Sequence, residues 1–467
     1  MPTMLLTRTS FRQRRLSVAE AAPPSAGALW RGCGLLLALG GLAGGAQAVP
    51  SYARQTGADC GACHVGAFGP QLTPYGIRFK MGGYVDTDGK GDKVPLSAMA
   101  VGSYTRTAKP VAAGDTVEGF SDNNNTALQE VSAFLAGRLA DNVGTFTQVT
   151  YSGVEKQVSL DQLDLRWARG VTLGDREATV GVSLNNNPTL TDPFNTLAQW
   201  RFPYVSSDFA PGFGQTPLME SLGGSVVGLN PYLFYGNAYA ELGLYTPLSQ
   251  STTDFLNTDN AGKFKGPAPY WRLAWFDDRK RYNWSVGLSG MYAGVHPDRT
   301  DTSASDTYRD LGIDASYQFL GTREHIATLN ASFVREWQTL GYTQGVIGEA
   351  ATRSSTLNQL RLAASYTYAQ TWGGSLGWFD SRGSQDALRY GASLSGNPNT
   401  AGYLLQLDWT PWGKEGSWGA PWANARLGLQ YTGYSRFMGG SSYLDGDGAT
   451  RQARDNNTLM LFLWLAI

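Results

Sequence analysis

The sequence predicts an all-β protein, an antiparallel β-barrel of about 16 strands that spans an outer membrane. Three observations support this prediction. Segments of about ten residues alternate with period two and carry aromatic residues at their ends, as strands and interfacial girdles require. Their number is even, which is typical of bacterial barrels. The connections between them alternate between short and long, as periplasmic turns and outer loops do.

The predicted strands follow from alternation along the chain. Leu163, Leu165 and Trp167 fall on one face of a strand, while Asp164 and Arg166 fall on the other. The segments of this kind begin near residues 94, 127, 143, 157, 176, 220, 232, 268, 281, 308, 324, 357, 373, 399, 422 and 456. A large soluble β protein would also alternate, and it is the competing interpretation.

The connections predict which end of the barrel each turn occupies. Short turns are expected at DNVG, LGDRE, Asn230-Pro231, DDRKR, LGTRE and TWGG. Long polar loops are expected over residues 107–126, 187–219, 246–267, 338–356 and 438–455. Residues 153–156 are an exception, because a short connection stands where a long one is expected.

The last strand supports a membrane barrel. Its alternate residues are all apolar: Leu459, Leu461, Leu463, Leu465 and Ile467. An apolar C-terminal residue is typical of outer-membrane barrels, although most of them end in Phe. One face of this strand is therefore expected to contact lipid.

The N-terminal residues 1–48 predict an export signal. Arginines precede the short apolar core GLLLALGGLAGG, and Ala46-Gln47-Ala48 resembles a cleavage site. The mature chain is then expected to start near Val49, and Cys33 is lost. Together with the barrel, this signal predicts the outer membrane of a Gram-negative bacterium and contact with its lipid.

The charge balance excludes one class of partner. The chain has 37 basic and 38 acidic residues and a formal net charge of −1. No basic excess is available for nucleic acid, so none is expected as a partner. The sequence also has no P-loop and no dinucleotide fingerprint in a βαβ setting.

The segment Cys60-Gly61-Ala62-Cys63-His64 carries the chemistry. Cys-x-x-Cys-His is the attachment signature of a c-type haem, in which both thiols bond to the haem and the histidine ligates the iron. A disulfide, a thioredoxin-like pair and a zinc site are the alternatives. A thioredoxin-like site expects a βαβ context, and zinc needs four ligands where no further cysteine remains. We expect one covalently attached haem c and no catalytic residue beyond it.

The sixth ligand of the haem iron is left open between three possibilities. Met81 follows the motif by seventeen residues, and Met99 lies on the first strand, where it is expected to face the lumen. A methionine ligand would raise the reduction potential, but methionine is also an ordinary packing residue. An open or different ligation is the third possibility. His296, in a predicted outer loop, and His325, at a predicted turn, are expected to be solvated.

The domain division follows from size. Residues 49–93 are too few to bury a core unaided, whereas a barrel of about 16 strands leaves a lumen that needs filling. We therefore expect the haem segment, residues 49–93, to plug the barrel formed by residues 94–467. Charged residues expected to face the lumen could contact haem propionates or the plug, or could simply make the lumen polar: Asp164, Arg166, Glu241, Arg361, Asp408 and Arg426.

Residues 53–84, ARQTGADCGACHVGAFGPQLTPYGIRFKMGGY, resemble the haem segment of the fused outer-membrane cytochrome–porins of iron-oxidising bacteria. The matching positions are Ala53, Arg54, Gln55, Thr56, Gly57, Cys60, Cys63, His64, Leu72, Thr73, Pro74, Gly76, Phe79, Lys80, Gly83 and Tyr84. Three features depart from the family pattern. An insertion alters GAFGPQ, the usual Arg is shifted to Arg78, and Met81 stands where Leu is expected.

The resemblance implies a monohaem protein with an activity of the Fe(II):cytochrome c oxidoreductase type. Such proteins take electrons from extracellular Fe(II) and pass them to a periplasmic carrier, a c-type cytochrome or a cupredoxin. The same conduit could serve another donor or acceptor, such as copper, manganese or a soluble mediator. A solute porin whose haem segment acts as a sensor or plug is the alternative from a different functional class.

Overall fold

The computed structural model describes residues 49–91, 94–419 and 422–467. The predicted export signal, including Cys33, lies outside the described residues. No helix in the described part of the chain has both the length and the apolar character needed to cross a bilayer.

Sixteen long antiparallel strands in the described residues form one closed barrel. They are β1 (Leu96–Thr107), β2 (Asn125–Ala140), β3 (Val143–Ser152), β4 (Gln157–Leu173), β5 (Arg176–Asn185), β6 (Val226–Tyr235), β7 (Ala238–Pro247), β8 (Ala268–Asp278), β9 (Tyr282–His296), β10 (Asp306–Phe319), β11 (His325–Leu340), β12 (Ser354–Tyr368), β13 (Trp372–Gly383), β14 (Thr400–Trp409), β15 (Asn424–Arg436) and β16 (Thr458–Ala466). Each strand pairs with the next, and β16 pairs with β1 from Met99↔Ala466 to Thr107↔Thr458. This last ladder removes both sheet edges.

The side chains divide between two environments. On β16 the alternate residues from Leu459 to Ile467 are 37–49 % exposed, whereas Met460, Phe462 and Ala466 between them are at most 3 % exposed. Apolar outward faces recur around the barrel, and the inward faces carry most of the buried polar residues. That distribution suits a bilayer outside and a packed polar interior. The protein is therefore an outer-membrane β-barrel of a Gram-negative bacterium.

The strand prediction is wrong at one hairpin. Asn230-Pro231 is not a turn but lies inside β6, where both residues pair with β5. The turn is Gly236-Asn237, which joins Tyr235 to Ala238. Gly236 has φ +61°, the left-handed conformation that two-residue hairpins require. Pro231 is tolerated because β6 makes no registered pair with β7 at residues 230 and 231.

Residues 186–225 connect β5 to β6 at the end of the barrel that carries the long loops, but they turn inward. Leu190, Thr191 and Asp192 are at most 1 % exposed. Asp192 pairs with the fully buried Arg272 of β8 (Oδ1 to Nη2, 3.0 Å), and Arg272 pairs again with Asp314 of β10 (2.7 Å). We call residues 186–225 the inner loop. The polar outer loop expected over residues 187–219 is thus correct in sequence position and wrong in exposure.

The short helices are not part of the barrel wall. They are α1 (Pro50–Thr56), α2 (Cys60–Cys63), α3 (Pro74–Met81), α4 (Leu218–Ser221), α5 (Gln250–Leu256) and α6 (Gly341–Gly345). Three-residue or four-residue 3-10 turns occur at Val65–Ala67, Ala113–Asp115 and Ala453–Asn456. Short strands at Lys263–Phe264, Ser442–Leu444 and Thr450–Gln452 lie in the long loops.

The outward face of β16 generates a first prediction. Leu461→Arg places a charge where the side chain meets lipid, so the free energy of unfolding should fall by about 2–4 kcal/mol if the position lies near the bilayer midplane. Urea unfolding in lipid vesicles measures this change. Ala449→Arg, in an exposed loop, is the control and should leave the unfolding free energy unchanged. Equal effects of the two changes would contradict the lipid-facing assignment.

Candidate haem attachment site

The Cys-x-x-Cys-His motif is presented by a compact helical segment. Helix α1 begins with Pro50 in its first turn and ends at Gly57, whose φ of +68° gives the left-handed cap. One helical turn, α2, carries both cysteines. His64 follows directly in extended conformation and pairs with Leu72 in an isolated bridge.

The residues after the motif hold helix α2 in place. Thr73 is the N-cap of α3, and its hydroxyl also donates to the carbonyl of Ala62. Its backbone N–H donates to the Cys63 carbonyl (2.9 Å). Gly76 must be glycine, because a Cβ there would lie 2.4 Å from the same Cys63 oxygen. The Thr-Pro-x-Gly sequence therefore fixes α3 against the cysteine turn.

The two thiols are separate and protonated. Cys60 and Cys63 form no disulfide. Burial raises the pKa of Cys60, and burial together with the Cys60 charge raises the pKa of Cys63 to about 12. A thioredoxin-like pair needs a lowered thiol pKa. The environment of these cysteines is therefore unlike that of a disulfide-exchange site.

His64 presents an imidazole with one nitrogen left over. The residue is half-buried, but its Nδ1 atom is shielded from solvent and has no partner among the described residues. Burial lowers the His64 pKa to about 4, so the ring is neutral at physiological pH. A neutral ring with a nitrogen that has no protein partner is suited to ligating a metal.

A small recess of about 20 Å³ lies beside the motif and opens to solvent. Val65, Gly66 and Phe68 line it from the segment after His64, and Tyr204 lines it from the inner loop. The barrel contributes the rest, including Gln370 of the β12–β13 turn and Arg426 of β15. The recess therefore lies towards the end of the barrel that carries the short turns. The separate thiols and the imidazole nitrogen without a partner match the donor set of a covalently attached haem c.

The haem segment contacts side chains that point inward from strands all round the barrel. The hydrogen bonds run from Arg166 Nη1 to Lys80 O (3.2 Å), Tyr232 Oη to Met81 O (2.7 Å), Gln318 Nε2 to Leu72 O (2.8 Å), Asn424 Nδ2 to Ala67 O (2.8 Å) and Arg426 Nη2 to Phe68 O (2.7 Å). Every acceptor is a backbone carbonyl. The inner wall thus satisfies carbonyl groups that so short a segment leaves without internal partners.

Two further residues of the family-like pattern attach the segment to the wall. Gln55 donates to the carbonyls of Tyr84 and Asp86 (2.7 Å each) and accepts from the Arg138 N–H of β2 (2.7 Å). Tyr84 donates to Asp164 of β4 (2.7 Å). Asp164 is itself fully buried and paired with Arg166. These side chains act as structural anchors.

Lys80 joins the haem segment to the inner loop. Its ammonium donates to Leu190 O (2.9 Å), Asp192 O (2.6 Å) and Asn195 Oδ1 (2.8 Å) and lies 4.3 Å from the centre of the Trp200 ring. Burial and the nearby Arg166 together lower the Lys80 pKa to about 7, against the opposing effect of nearby carboxylates. All three N–H donors nevertheless have acceptors. The segment and the inner loop are therefore held together through one side chain.

The two methionine candidates occupy different places. Met81 is 2 % exposed and packs in an apolar cluster with Ala168, Tyr232 and Tyr239 of the barrel wall. Met99 faces inward on β1, as predicted, and its sulfur accepts a hydrogen bond from Trp464 Nε1 (3.2 Å). Trp464 also lies close to the loop after His64, because a Cβ on Gly69 would be 3.9 Å from its ring.

The expectations for the other histidines differ in outcome. His325 is exposed at the short-turn end, as predicted. The prediction for His296 is wrong, because it is the last residue of β9 and is 8 % exposed. Its Nδ1 lies 2.6 Å from the Ala304 carbonyl. The following loop folds back over the strand end, which hydropathy alone does not indicate.

The charged residues expected in the lumen all lie there. Asp164, Arg166, Glu241, Asp408 and Arg426 are buried, and Arg361 stacks on the Phe213 and Phe379 rings. Sequence reasoning missed Asn424, which holds Ala67 and contacts Cys60, and Gln370 at the recess. The only available signal for Asn424 was its inward phase on β15, two residues before Arg426.

Comparisons with known proteins found similarity to porin folds. No family model matches the chain, and no curated protein matches its sequence. OmpT, an outer membrane protein of Vibrio cholerae, covers 81 % of this chain and 99 % of its own at 9 % identity and a TM-score of 0.41. The match to the outer membrane channel DcaP of Acinetobacter baumannii covers 80 % of this chain and 96 % of DcaP, at 11 % identity and a TM-score of 0.43. The match to the anion-selective porin from Comamonas acidovorans covers 79 % of this chain and 98 % of the porin, at 10 % identity and a TM-score of 0.41.

The Lys80 contacts generate a second prediction. Lys80→Met removes three hydrogen bonds to a buried ammonium, each worth about 1.5–3 kcal/mol. Protease cleavage within residues 49–91 should then become at least about tenfold faster, which corresponds to about 1.4 kcal/mol. Limited proteolysis of the folded protein measures the rate.

Arg78→Met on the same helix is the matched control. Arg78 pairs with Asp278 at 2.6 Å, but its side chain is 54 % exposed. An exposed pair contributes about 0–1 kcal/mol, so cleavage should change little. Equal acceleration in both variants would contradict the special role of Lys80.

Proposed function

We propose that this protein is an outer-membrane electron conduit that carries electrons from extracellular Fe(II), through one haem c, to a periplasmic carrier. The haem is held by Cys60 and Cys63, with His64 as axial ligand. The haem segment fills the short-turn half of the lumen. The carrier is a c-type cytochrome or a cupredoxin.

One observation carries the proposal: the Cys-x-x-Cys-His turn presents two separate thiols and an imidazole nitrogen without a protein partner, and Val65, Gly66 and Phe68 directly after it line a recess inside the barrel end. Bound there, a haem c supplies reversible one-electron transfer at its iron. The chain's own residues supply position. Thr73 and Gly76 fix the cysteine turn that precedes His64.

The packing of the lumen supports a conduit over a solute porin. The haem segment reaches the inner wall through donors on β4, β6, β10 and β15, and Lys80 ties it to the inner loop. The inner loop is held in turn through Asp192, which pairs with Arg272 near the middle of β8. Arg272 also pairs with Asp314 of β10. Electrons can cross such packed layers, whereas a hydrated solute needs an open path.

Reduction by Fe(II) tests the proposal. The oxidised, purified protein is mixed with Fe(II) in a stopped-flow instrument, and the haem absorption band is followed. Rapid and complete reduction is expected. Full reduction by dithionite with none by Fe(II) would assign the conduit to another donor. Solute flux through vesicles without reduction by any donor would favour the porin alternative.

A substitution at His64 separates the haem from the barrel. His64→Ala removes the axial nitrogen, so reduction by Fe(II) should be lost while the protein still inserts as a barrel. His325→Ala, an exposed histidine at the same end of the barrel, should behave as the wild type. Retained Fe(II) reduction in His64→Ala would overturn the ligand assignment.

We also propose Met99 as the sixth ligand, because Trp464 links it to the surroundings of His64, whereas Met81 packs in an apolar cluster. Met99→Ala should lower the haem midpoint potential by more than about 59 mV, a tenfold change in a one-electron equilibrium. Met81→Ala should leave it unchanged. Redox titration of both variants decides, and the opposite result would assign Met81.

A further inference from the structure

A buried cation lies beside the haem motif on the barrel wall. Arg426 of β15 is 7 % exposed, and its Nε atom has no hydrogen-bond partner. Its guanidinium forms no ion pair with any residue in the described ranges. Asp408 on β14 interacts with it at longer range, but that carboxylate accepts from Gln406 (2.8 Å). A buried charge without a paired counter-charge is costly, so the position calls for an anion.

The loop after His64 wraps around this guanidinium. The Phe68 carbonyl accepts from Nη2 at 2.7 Å, and the Phe68 ring centre lies 5.4 Å from the guanidinium carbon. Gly66 and Gly69 have φ of +71° and +86°. A Cβ on either residue would lie 3.4 Å or 3.2 Å from a guanidinium nitrogen. Only glycine lets the loop approach the cation this closely.

The guanidinium is also directed at the recess. Arg426 lines it together with Gly66, Phe68 and Gln370, the last of which has an unpartnered Oε1. The carbonyl that Arg426 holds belongs to Phe68, four residues after His64. A group bound to His64 and occupying the recess therefore comes within reach of the guanidinium.

We propose that Arg426 binds a propionate carboxylate of the haem attached at Cys60 and Cys63. This inference rests on the haem attachment proposed above. The planar fork of arginine matches a carboxylate and keeps its charge in a buried site. Arg426 thereby makes the barrel wall, and not only residues 49–91, part of the haem site.

The pairing predicts the direction of a change in redox potential. A positive charge near the iron disfavours the oxidised, more positive state, so it raises the midpoint potential. Arg426→Gln removes that charge and leaves the propionate unpaired, and both changes favour the oxidised state. The one-electron reduction constant should fall at least about tenfold, a shift of about −59 mV.

The experiment is a redox titration of the full-length, haem-loaded protein. Arg426→Gln is compared with Arg361→Gln, which removes a half-buried arginine of the inner wall that does not line the recess. The midpoint potential should fall in the first variant and remain at the wild-type value in the second. An unchanged potential in Arg426→Gln, or equal shifts in both, would overturn the pairing.

If Arg426→Gln fails to fold, a second variant tests the same pairing. Arg426→Lys retains the charge but loses the fork. Resonance Raman spectroscopy should then show a shifted propionate bending band, and an unshifted band would overturn the pairing. A wild-type protein without attached haem would instead overturn the proposed function, and the pairing with it. Attached haem with unshifted bands and potentials would overturn the pairing alone.

Discussion

The structure depends on one constraint: in hydrocarbon, every backbone N–H and C=O group must find its partner within the protein. Sixteen strands meet this constraint because β16 pairs with β1 and no edge remains. Closure at this strand number creates a lumen that side chains alone do not fill. The haem segment and the inner loop pack into this lumen. Both carry carbonyl groups and charges that need partners on the barrel wall.

The inner wall meets these demands with polar side chains at chosen positions. Arg166, Asn424 and Arg426 donate to carbonyls of the haem segment. Arg272 pairs with the two carboxylates that hold the inner loop. Lys80 completes the arrangement by joining the segment to the loop. The polar lumen is thus the complement of the chain packed within it, and its charges have individual partners.

Period-two alternation was enough to predict the strand number and nearly all strand positions, because one face of each strand meets lipid. It failed at Gly236-Asn237, since Tyr232 and Phe234, which face inward on β6, continue the alternation of Ala238 to Leu244, which face outward on β7. It also failed for the inner loop, where the buried Asp192 pairs with Arg272, which is distant in sequence and also pairs with Asp314. The Cys-x-x-Cys-His motif could be identified because its chemistry is local. The surroundings of His64 could not, because Asn424 and Arg426 come from the other end of the chain.

The position of the haem segment at the barrel seam has a consequence for biogenesis. Phe68 packs edge-on against Trp464 of β16 (4.8 Å between ring centres), and Ser51 bonds Ser97 of β1 through its N–H and hydroxyl (3.0 Å). The segment therefore touches both strands of the ladder that joins the chain's first strand to its last. That ladder can form only after β16 has been synthesised and exported. Docking of the segment and sealing of the barrel are consequently coupled late steps, and attachment of the proposed haem would have to precede both.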